Sequence, residues 1–339
     1  MSAKISIKDI AKITGTSITT VSFVINGKAK EKNISVAMTK KIQKVVAELG
    51  YKPNALARGL RTGKSKIIGF LVDDISKPFF SNIATSIDQR ASKHGYKLIF
   101  SSIGRNKLRA NEILQIFKER QVDGYVIAIS AGVEEEIIEL LNNEIPVVFF
   151  DRYLPEIKGD YVLTDNQFST HQATQHLIDN GFKNIGFVTI QTEELQMLDR
   201  LKGYNDALEQ AGLKAQVLAI DYSDSTKATR YIKNFLIDHP GLDAIVFASN
   251  YLTMHGLQIL KTDDRELLSL KGMVSFDDFE LLEFLNPAIT AVEQPAEEIA
   301  EALINMLIKK MTQKIAPAKT TYEIINLKAK LNIRQSSKR

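Results

Sequence analysis

Apolar residues in the first 50 positions recur at helical spacing in three short stretches. In the first, residues 5–13, Ser6 is suited to cap the start of a helix and Gly15 to end it. Ser17 is a second helix cap, and the stretch behind it has one apolar face. A third amphipathic stretch covers residues 39–49. The pattern predicts three helices that close one small core.

The first two predicted helices meet across a three-residue turn, as in a helix-turn-helix, whose second helix lies in the major groove of DNA. Four outward side chains of that helix can hydrogen-bond phosphates: Ser17, Thr20, Ser22 and Asn26. Three others are expected to face base edges: Ile18, Thr19 and Phe23. Phe23 has the alternative role of a core aromatic. Because this face carries no arginine, we expect sequence preference to depend on apolar contacts and on DNA shape.

Residues 51–65 are predicted to be a linker that contains a short hinge helix, residues 55–61. A segment this short that includes Gly59 is not helical by itself, because helix nucleation is costly and glycine disfavours helix. We expect it to order against DNA and a second copy of the chain, with Leu60 as a wedge in the minor groove and Arg61 on the backbone. A plain basic linker is the alternative.

From residue 66 onward, short apolar runs alternate with amphipathic stretches. The strand candidates are residues 67–72, 97–103, 125–129, 147–150, 161–163, 185–190, 217–220, 244–248 and 273–276. This rhythm predicts an α/β fold with two doubly wound parallel sheets and a switch near residues 160–165. A final strand, helix and strand predict that the chain crosses back. Lobe one is then about residues 66–162 and 291–318, and lobe two about residues 163–290 and 319–334.

Polar residues follow many of these strands at their carboxyl ends, where the ligand crevice of a parallel sheet lies. They include Asp151, Tyr222, Ser249 and Asp277, and Pro78-Phe79-Phe80 adds aromatic rings. Carboxylates bond pairs of hydroxyl groups and rings pack on the apolar face of a sugar, so the set suits a polyhydroxylated ligand. Each residue taken singly has the alternative role of beginning a loop, and only the recurrence favours a site.

Charge is divided unevenly along the chain, whose overall net charge is +4. Residues 1–66 hold 14 lysines and arginines against three acidic residues, a net charge of +11, while the rest holds 30 basic and 37 acidic residues, a net charge of −7. A basic segment on an acidic body is typical of a protein that binds a polyanion with one part only. A solubilising basic tail is the alternative, which the predicted helices disfavour.

Composition narrows the class of protein. The 339 residues predict two or more domains, and the absence of cysteine excludes disulfide scaffolds, thiolate metal sites and cysteine catalysis. Without a signal-like start or an 18-residue apolar run, we expect a soluble cytoplasmic protein with no membrane partner. The five histidines lack metal-binding spacing and are expected at the surface or at helix caps, and neither GxSxG nor GxGxxG occurs. We therefore expect no catalytic residue, no metal and no cofactor.

The chain contains two motifs, SIKDIAKITGTSITTVSFVING and LGYKPNALARGL, in the order and spacing typical of lactose-repressor-type regulators. It resembles this family, the LacI/GalR family, over nearly its whole length. Further matches include IIGFLVDDISKPFF, IPVVFFDR and MVSFDDFELLEFLNPAITAVEQP. The resemblance implies an N-terminal three-helix helix-turn-helix headpiece (residues 1–50), a hinge helix and linker (51–65) and a two-lobed periplasmic-binding-protein-like core (66–339) that binds an effector, most often a sugar.

The resemblance also assigns residues. It implies operator contact by the outward side chains of the second helix and by four positions outside that helix, Ser6, Tyr51, Ala57 and Arg61. It also implies that Leu60 is the wedge in the minor groove. It implies effector contact at Phe79, Phe80, Asp151, Arg200, Tyr222, Ser249 and Asp277.

Three departures from the family pattern leave parts of this assignment open. Ile18 and Phe23 stand where polar residues are common, residues 28–38 contain a short insertion, and Ser249-Asn250 replaces the usual Asn-Asp. The chain also lacks a C-terminal leucine heptad, which implies a homodimer.

Together these features predict a sequence-specific transcriptional repressor that binds near-palindromic operator DNA as a homodimer. A small-molecule effector, a sugar or sugar derivative bound between the lobes, is expected to control its DNA affinity. The main alternative is a solute-binding protein of a transport system, which the basic headpiece and the missing secretion signal disfavour. A sugar-modifying enzyme is a weaker alternative.

Overall fold

The computed structural model describes residues 5–51, 59, 63–104, 107–128, 132–262, 264–269, 271–312 and 322–339. The chain divides into two compact units at the Ser65–Lys66 junction. The predicted hinge residues Ala57, Leu60 and Arg61 lie outside the described residues. Among the helices within these ranges, none has the length and hydrophobicity needed to cross a membrane.

The first unit contains the three predicted helices, α1 (Ile7–Thr14), α2 (Ile18–Ile25) and α3 (Val36–Glu48). Their apolar faces meet in a small core whose members are nearly inaccessible to solvent: Ile10, Ala11, Val21, Val24 and Ile42. Full burial of each large aliphatic side chain contributes about 1.5–3 kcal/mol. The periodicity of the sequence therefore predicts this core, except at Ile13, which ends the first apolar stretch but is 54% exposed.

Local capping sets the ends of these helices. The Ser6 side chain accepts a hydrogen bond from the Asp9 amide while the Asp9 carboxylate accepts one from the Ser6 amide, which is a capping box. Gly15 ends α1 with a φ of +68°, a conformation that glycine adopts without strain. The third helix begins three residues before the predicted start, because Ser35 caps it by accepting a hydrogen bond from the Met38 amide at 3.2 Å.

In the second unit, the described residues form two sheets of six strands each. The first sheet contains β1 (Ile67–Val72), β2 (Lys97–Ser102), β3 (Gly124–Ala128), β4 (Val147–Phe150), β5 (Asp160–Thr164) and β11 (Ile324–Leu327). Its spatial order is β2-β1-β3-β4-β5-β11, with all neighbours parallel.

Four helices cover the first sheet: α4 (Pro78–Lys93), α5 (Lys107–Glu119), α6 (Glu134–Asn142) and α13 (Ala296–Thr312). The apolar side chains of α4 and α13 pack on one face of the sheet, and those of α5 and α6 on the other. Every residue of β3 and β4 is buried, as expected for central strands covered on both faces. We call this sheet with its helices lobe one.

The second sheet, in lobe two, contains β6 (Ile185–Ile190), β7 (Gln216–Ile220), β8 (Ala244–Phe247), β9 (Gly272–Phe276), β10 (Thr290–Glu293) and β12 (Lys330–Asn332). Its order is β7-β6-β8-β9-β10-β12, with β12 antiparallel to β10 and the other neighbours parallel. Its helices are α7 (Asn166–Asp179), α8 (Leu195–Gln210), α9 (Ala228–Asp238), α10 (Asn250–Ile259) and the short α11 (Glu266–Ser269) and α12 (Leu281–Phe284). The two doubly wound sheets confirm the predicted α/β fold class.

The crossings between the lobes differ in detail from the predicted ranges. The predicted division places residues 291–318 in lobe one and residues 319–334 in lobe two, but β10 belongs to lobe two and β11 to lobe one. The strand β11 adds to β5 through parallel pairing of Ile324 with Tyr161, and β12 returns to lobe two. Both strands are short and none of their residues is fully buried, so their local pattern does not indicate which sheet they join.

Candidate functional site

The carboxyl ends of the strands in the two lobes enclose a cavity of about 310 Å³. All seven residues predicted to contact an effector line it: Phe79, Phe80, Asp151, Arg200, Tyr222, Ser249 and Asp277. Chain positions almost 200 residues apart therefore meet at one site. Their contact with a ligand stays a prediction.

Two carboxylates occupy similar positions in the two lobes. Asp151 follows β4 and Asp277 follows β9, and both have left-handed backbones, with φ of +68° and +70°. At Asp151 a tight turn imposes this angle, since the Arg152 amide donates to the Phe150 carbonyl at 2.8 Å. Aspartate tolerates this conformation better than most residues, and such backbone strain concentrates at functional sites.

Arg200, on α8, is almost completely buried at 4% exposure. Its Nε donates to Asn166 Oδ1 at 2.8 Å and its Nη1 donates to the Ala248 carbonyl at 2.7 Å. The guanidinium lies 3.7 Å from the centre of the Phe276 ring, and Nη1 lies 3.9 Å from Asp277 Oδ2. These contacts fix the guanidinium at the cavity wall before any ligand arrives, which lowers the entropic cost of binding.

Aromatic rings line both lobes. In lobe one, Phe79 and Phe80 begin α4, and their ring centres lie 5.2 Å apart. In lobe two, Tyr222 packs on Tyr251 with ring centres 4.9 Å apart. Rings from both lobes in a cavity that also carries polar groups are suited to cover the apolar faces of a ring-shaped sugar.

The Tyr222 hydroxyl leads into a hydrogen-bonded chain behind the cavity wall. It lies 3.0 Å from His255 Nε2, and His255 Nδ1 lies 3.2 Å from the hydroxyl of Thr229, which donates to Gln258 Oε1 at 2.6 Å. That last bond leaves Thr229 as an acceptor, so Nδ1 carries the imidazole proton and Tyr222 donates to Nε2. Burial lowers the pKa of His255, which favours this neutral form. The expectation of a surface or capping role is therefore wrong for His255.

Further residues line the cavity and contact the predicted set or each other, among them Arg152, Glu194, Gln196, Asn250 and Gln294. Gln294 connects the lobes, because its Nε2 donates to Asp277 Oδ1 at 2.7 Å while its Oε1 accepts from the Thr164 hydroxyl at 2.7 Å. The quoted motifs contain Arg152 and Gln294, so their strand-end positions were a usable signal. Glu194 and Gln196 lie on the loop into α8 and at its start, without a motif.

The outward face of α2 carries the predicted DNA contacts. Ile18 is 43% exposed and Thr19 is exposed beside it. The hydroxyls of Ser17 and Thr20 lie 2.9 Å apart, and Asn26 Nδ2 donates to the Ser22 carbonyl at 2.7 Å. These polar groups already hold the helix ends, so DNA contact requires their remaining donors and acceptors.

Phe23 is half-buried, with Lys32 Nζ 5.6 Å from its ring centre. Residues 28–34, in the predicted insertion, form turns that pack Ile34 against the small core. Tyr51 follows α3 and also packs against this core, and Ser6 caps α1. Most predicted DNA contacts within the described ranges thus lie on α2 or on its flanking residues Ser17 and Asn26. The other two, Ser6 and Tyr51, lie outside that helix.

Two family models match the chain. Residues 6–54 match the model described as bacterial regulatory proteins, lacI family, and residues 65–330 match the model described as periplasmic binding proteins and sugar binding domain of LacI family. The ribose operon repressor of Haemophilus influenzae is 28% identical over 90% of this chain and 92% of that protein.

Solved structures of other regulators share the fold. The lac repressor dimer bound to operator and the anti-inducer ONPF has a TM-score of 0.83 and 18% identity, and the alignment covers 99% of this chain and 100% of that one. A transcriptional regulator from Enterococcus faecium with bound ribose has a TM-score of 0.69 and 22% identity, with 80% of this chain and 98% of that one covered.

Proposed function

The chain belongs to the LacI family of bacterial regulatory proteins and is a DNA-binding transcriptional regulator, and we propose that a monosaccharide bound in the cavity between its lobes sets its operator affinity. It acts as a repressor in the cytoplasm, where the bacterial chromosome lies. The observation that carries the proposal is the single cavity that gathers two carboxylates, a fixed guanidinium and aromatic rings from both lobes.

The cavity chemistry supports a sugar. Asp151 and Asp277 each present carboxylate oxygens that accept from neighbouring hydroxyls, and Arg200 supplies planar paired donors. A volume of about 310 Å³ lies at the low end of the range for ligand sites, which suits one sugar ring better than a chain of rings. Ribose is the first probe to test, because it is bound in the E. faecium regulator and the H. influenzae relative is named a ribose operon repressor.

The headpiece supports operator recognition. Its positive charge supplies salt-dependent attraction to the phosphate backbone, and the exposed Ile18 and Thr19 of α2 supply groups for the major groove. An isoleucine suits thymine methyls, and a threonine hydroxyl bonds either base type. The wedge role of Leu60 remains a prediction outside the described residues.

A homodimer supports two-site recognition, because a near-palindromic operator requires two reading helices about one helical turn apart. Large apolar side chains are exposed on lobe one: Phe100 is 57% exposed on the edge strand β2, and Leu108 is 81% exposed on α5. A second copy of the chain that covers them removes this apolar surface from water.

Coupling between sugar and DNA follows from the three crossings. The lobes are joined only by short segments after β5, β10 and β11 in the described part of the chain, and Gln294 bridges Thr164 and Asp277 at one of them. A ligand that contacts Asp277 and lobe one together favours one relative lobe position. By linkage, DNA then changes sugar affinity by the same factor as sugar changes DNA affinity.

We expect the purified chain to bind duplex DNA from its own upstream region with an affinity that falls as salt rises, because phosphate binding releases counterions. Fluorescence anisotropy measures this affinity. One sugar of a thermal-shift panel is expected to raise the melting temperature of the chain and also to change its affinity for DNA.

Replacement of Ile18 with alanine should weaken specific binding about tenfold or more and leave nonspecific binding unchanged.

Ile13→Ala is the matched control, since Ile13 is similarly exposed but lies on α1. Equal losses on specific and nonspecific DNA for Ile18→Ala would contradict the reading role of α2. A chain that binds sugar but shows no salt-dependent DNA affinity would favour the solute-binding alternative, which the family match of residues 6–54 disfavours.

Sugar affinity is expected to rise with pH and level off above about pH 6. Burial raises the pKa of the Asp151 carboxyl from 3.8 to about 6, an effect that Arg152 and Arg200 reduce. Hydroxyl donors bond the ionised form more strongly, so the ligand lowers this pKa and affinity falls below pH 6 by up to about tenfold per unit. Calorimetric titration of ribose between about pH 5 and pH 8 measures the slope.

Asp151→Asn is the control for this slope, because asparagine keeps the shape and does not titrate. The variant should bind ribose more weakly and with little dependence on pH. A slope as steep as that of the unaltered chain would assign the titration to another group, such as His255.

A further inference from the structure

The aromatic ring of Tyr222 reaches the cavity from a segment that contributes no fully buried residue to lobe two. Residues 222–227 form a short irregular turn behind the Asp221 cap. Asp224 interrupts this turn with a non-helical backbone, φ −123° and ψ 87°. A segment with few buried contacts has low local stability, so its position depends on the contacts that its own side chains make.

The neighbouring helix α10 is held much more firmly. Its Leu252 and Thr253 are inaccessible to solvent, and Ile259 is 1% exposed. The Thr253 hydroxyl lies 2.7 Å from the Ser275 hydroxyl, which ties the helix to the central strand β9. His255 lies half-buried on the same helix. The helix α10 is therefore a rigid support against which the looser segment can be held.

Tyr222 contacts this support through His255. Its hydroxyl lies 3.0 Å from His255 Nε2, and the two rings meet edge to face with centres 5.9 Å apart. On the other side of the imidazole, Nδ1 lies 3.2 Å from the hydroxyl of Thr229, at the start of α9. This second bond fixes the orientation of the imidazole and keeps Nε2 directed at Tyr222. Because His255 does not line the cavity, it acts on a ligand through Tyr222 and not by contact.

We propose that His255 is a positioning residue for sugar binding, which holds the Tyr222 ring where a sugar packs on it. The inference rests on the proposed function, because it concerns a sugar in the same cavity. A ring that is already in place does not have to be ordered when the ligand binds, so the entropic cost of ordering does not reduce affinity. Without the hydrogen bond, residues 222–227 take more positions in the free chain and the sugar binds more weakly.

Calorimetric titration of the full chain with ribose tests this inference at about pH 8, above the pKa of about 6 of the Asp151 carboxyl. His255→Leu removes the acceptor and is expected to weaken ribose binding about tenfold, the scale of one lost hydrogen bond. His255→Gln supplies an amide oxygen in place of Nε2 and should bind ribose within about threefold of the unaltered chain. If another sugar of the thermal-shift panel binds more tightly, it replaces ribose in these titrations.

A double-mutant cycle separates positioning from a general effect on the fold. Tyr222→Phe keeps the ring and removes the hydroxyl. In this background His255→Leu should weaken ribose binding by less than about twofold, because the hydrogen bond that it would break is already absent. A histidine that only supports the fold would give the same loss with and without the Tyr222 hydroxyl.

His239→Leu is the matched control. His239 is also half-buried in lobe two, but its Nδ1 lies 2.9 Å from the Phe235 carbonyl of its own helix and it does not line the cavity. Its replacement should leave ribose affinity unchanged. If His255→Leu does not fold, Thr229→Val allows the same comparison in both backgrounds, because it removes the acceptor that orients the imidazole.

Two results overturn the inference and leave the proposed function standing: ribose affinity in His255→Leu equal to that of the unaltered chain, or equal losses with and without the Tyr222 hydroxyl. Failure of every sugar in the panel to bind the unaltered chain would overturn the proposed function and the inference with it.

Discussion

Replacement of Arg200 with alanine is expected to abolish the response of DNA binding to sugar and to leave DNA affinity without sugar intact. The guanidinium lines the cavity and is held by Asn166, the Ala248 carbonyl and the Phe276 ring. A charged hydrogen bond to a ligand contributes about 1.5–3 kcal/mol, so the loss of two weakens sugar binding by about 100-fold or more. Anisotropy titrations of operator DNA across a range of ribose concentrations measure the response.

A second variant of Arg200 tests whether the lost response comes from a general effect on the fold. Arg200→Lys keeps the positive charge but not the planar pair of donors, so it should retain the folded lobe and still lose most of the response. Arg265→Ala, at an exposed arginine away from the cavity, should respond like the unaltered chain. A normal dose response in Arg200→Ala would remove this residue from the effector site.

The headpiece could be predicted closely because its determinants are local. Ser6 and Ser17 accept hydrogen bonds from amides three residues ahead, and Gly15 takes the left-handed cap conformation. Each such signal lies within a few residues of its effect. The one displaced boundary, the start of α3, has the same origin, since the Ser35 cap is local and the prediction overlooked it.

The cavity could be predicted in outline from a topological rule. Parallel strands place their carboxyl ends on one edge, so Asp151 and Asp277 were expected at ligand crevices of their own lobes. The rule gives no distances between lobes. Glu194 and Gln196 were missed because Glu194 meets Arg152 across the two lobes, and Gln196 in turn bonds Glu194.

Other features depend on contacts that no local pattern contains. His255 has an unremarkable position in α10, and its place behind Tyr222 follows from the packing of that helix beside the segment at residues 222–227. The two short strands β11 and β12 differ in sheet because of their partners β5 and β10 and not because of their own residues. Sequence patterns predict elements better than partners.

Gly203 is a further residue whose role is visible only in the packing. A glycine inside a helix usually destabilises it by about 1 kcal/mol relative to alanine, so the sequence alone suggests that alanine would be an improvement. In the folded chain a Cβ on Gly203 would lie 2.1 Å from the Gln167 carbonyl oxygen and 2.9 Å from the His171 amide nitrogen. Glycine therefore permits the close approach of α8 to α7.

Gly203→Ala is expected to lower the free energy of unfolding by about 1–3 kcal/mol or more. The atoms that the new Cβ would meet belong to the backbone, which cannot move aside as a flexible side chain does, so the cost of overpacking exceeds the gain in helix propensity. The same displacement should weaken sugar binding, since α8 carries Arg200 one turn earlier and α7 carries its partner Asn166. Urea denaturation and ribose calorimetry measure the two effects.

Gly241→Ala is the matched control for this substitution. A Cβ at Gly241 meets no heavy atom within 4 Å and its backbone is not left-handed, so stability should change by less than about 0.5 kcal/mol and ribose affinity should not change. If Gly203→Ala were as stable as the unaltered chain, α7 and α8 would have to separate without cost. If it were destabilised but bound ribose normally, the Arg200–Asn166 hydrogen bond would not depend on this helix contact, and the proposed link between packing and ligand affinity would be wrong.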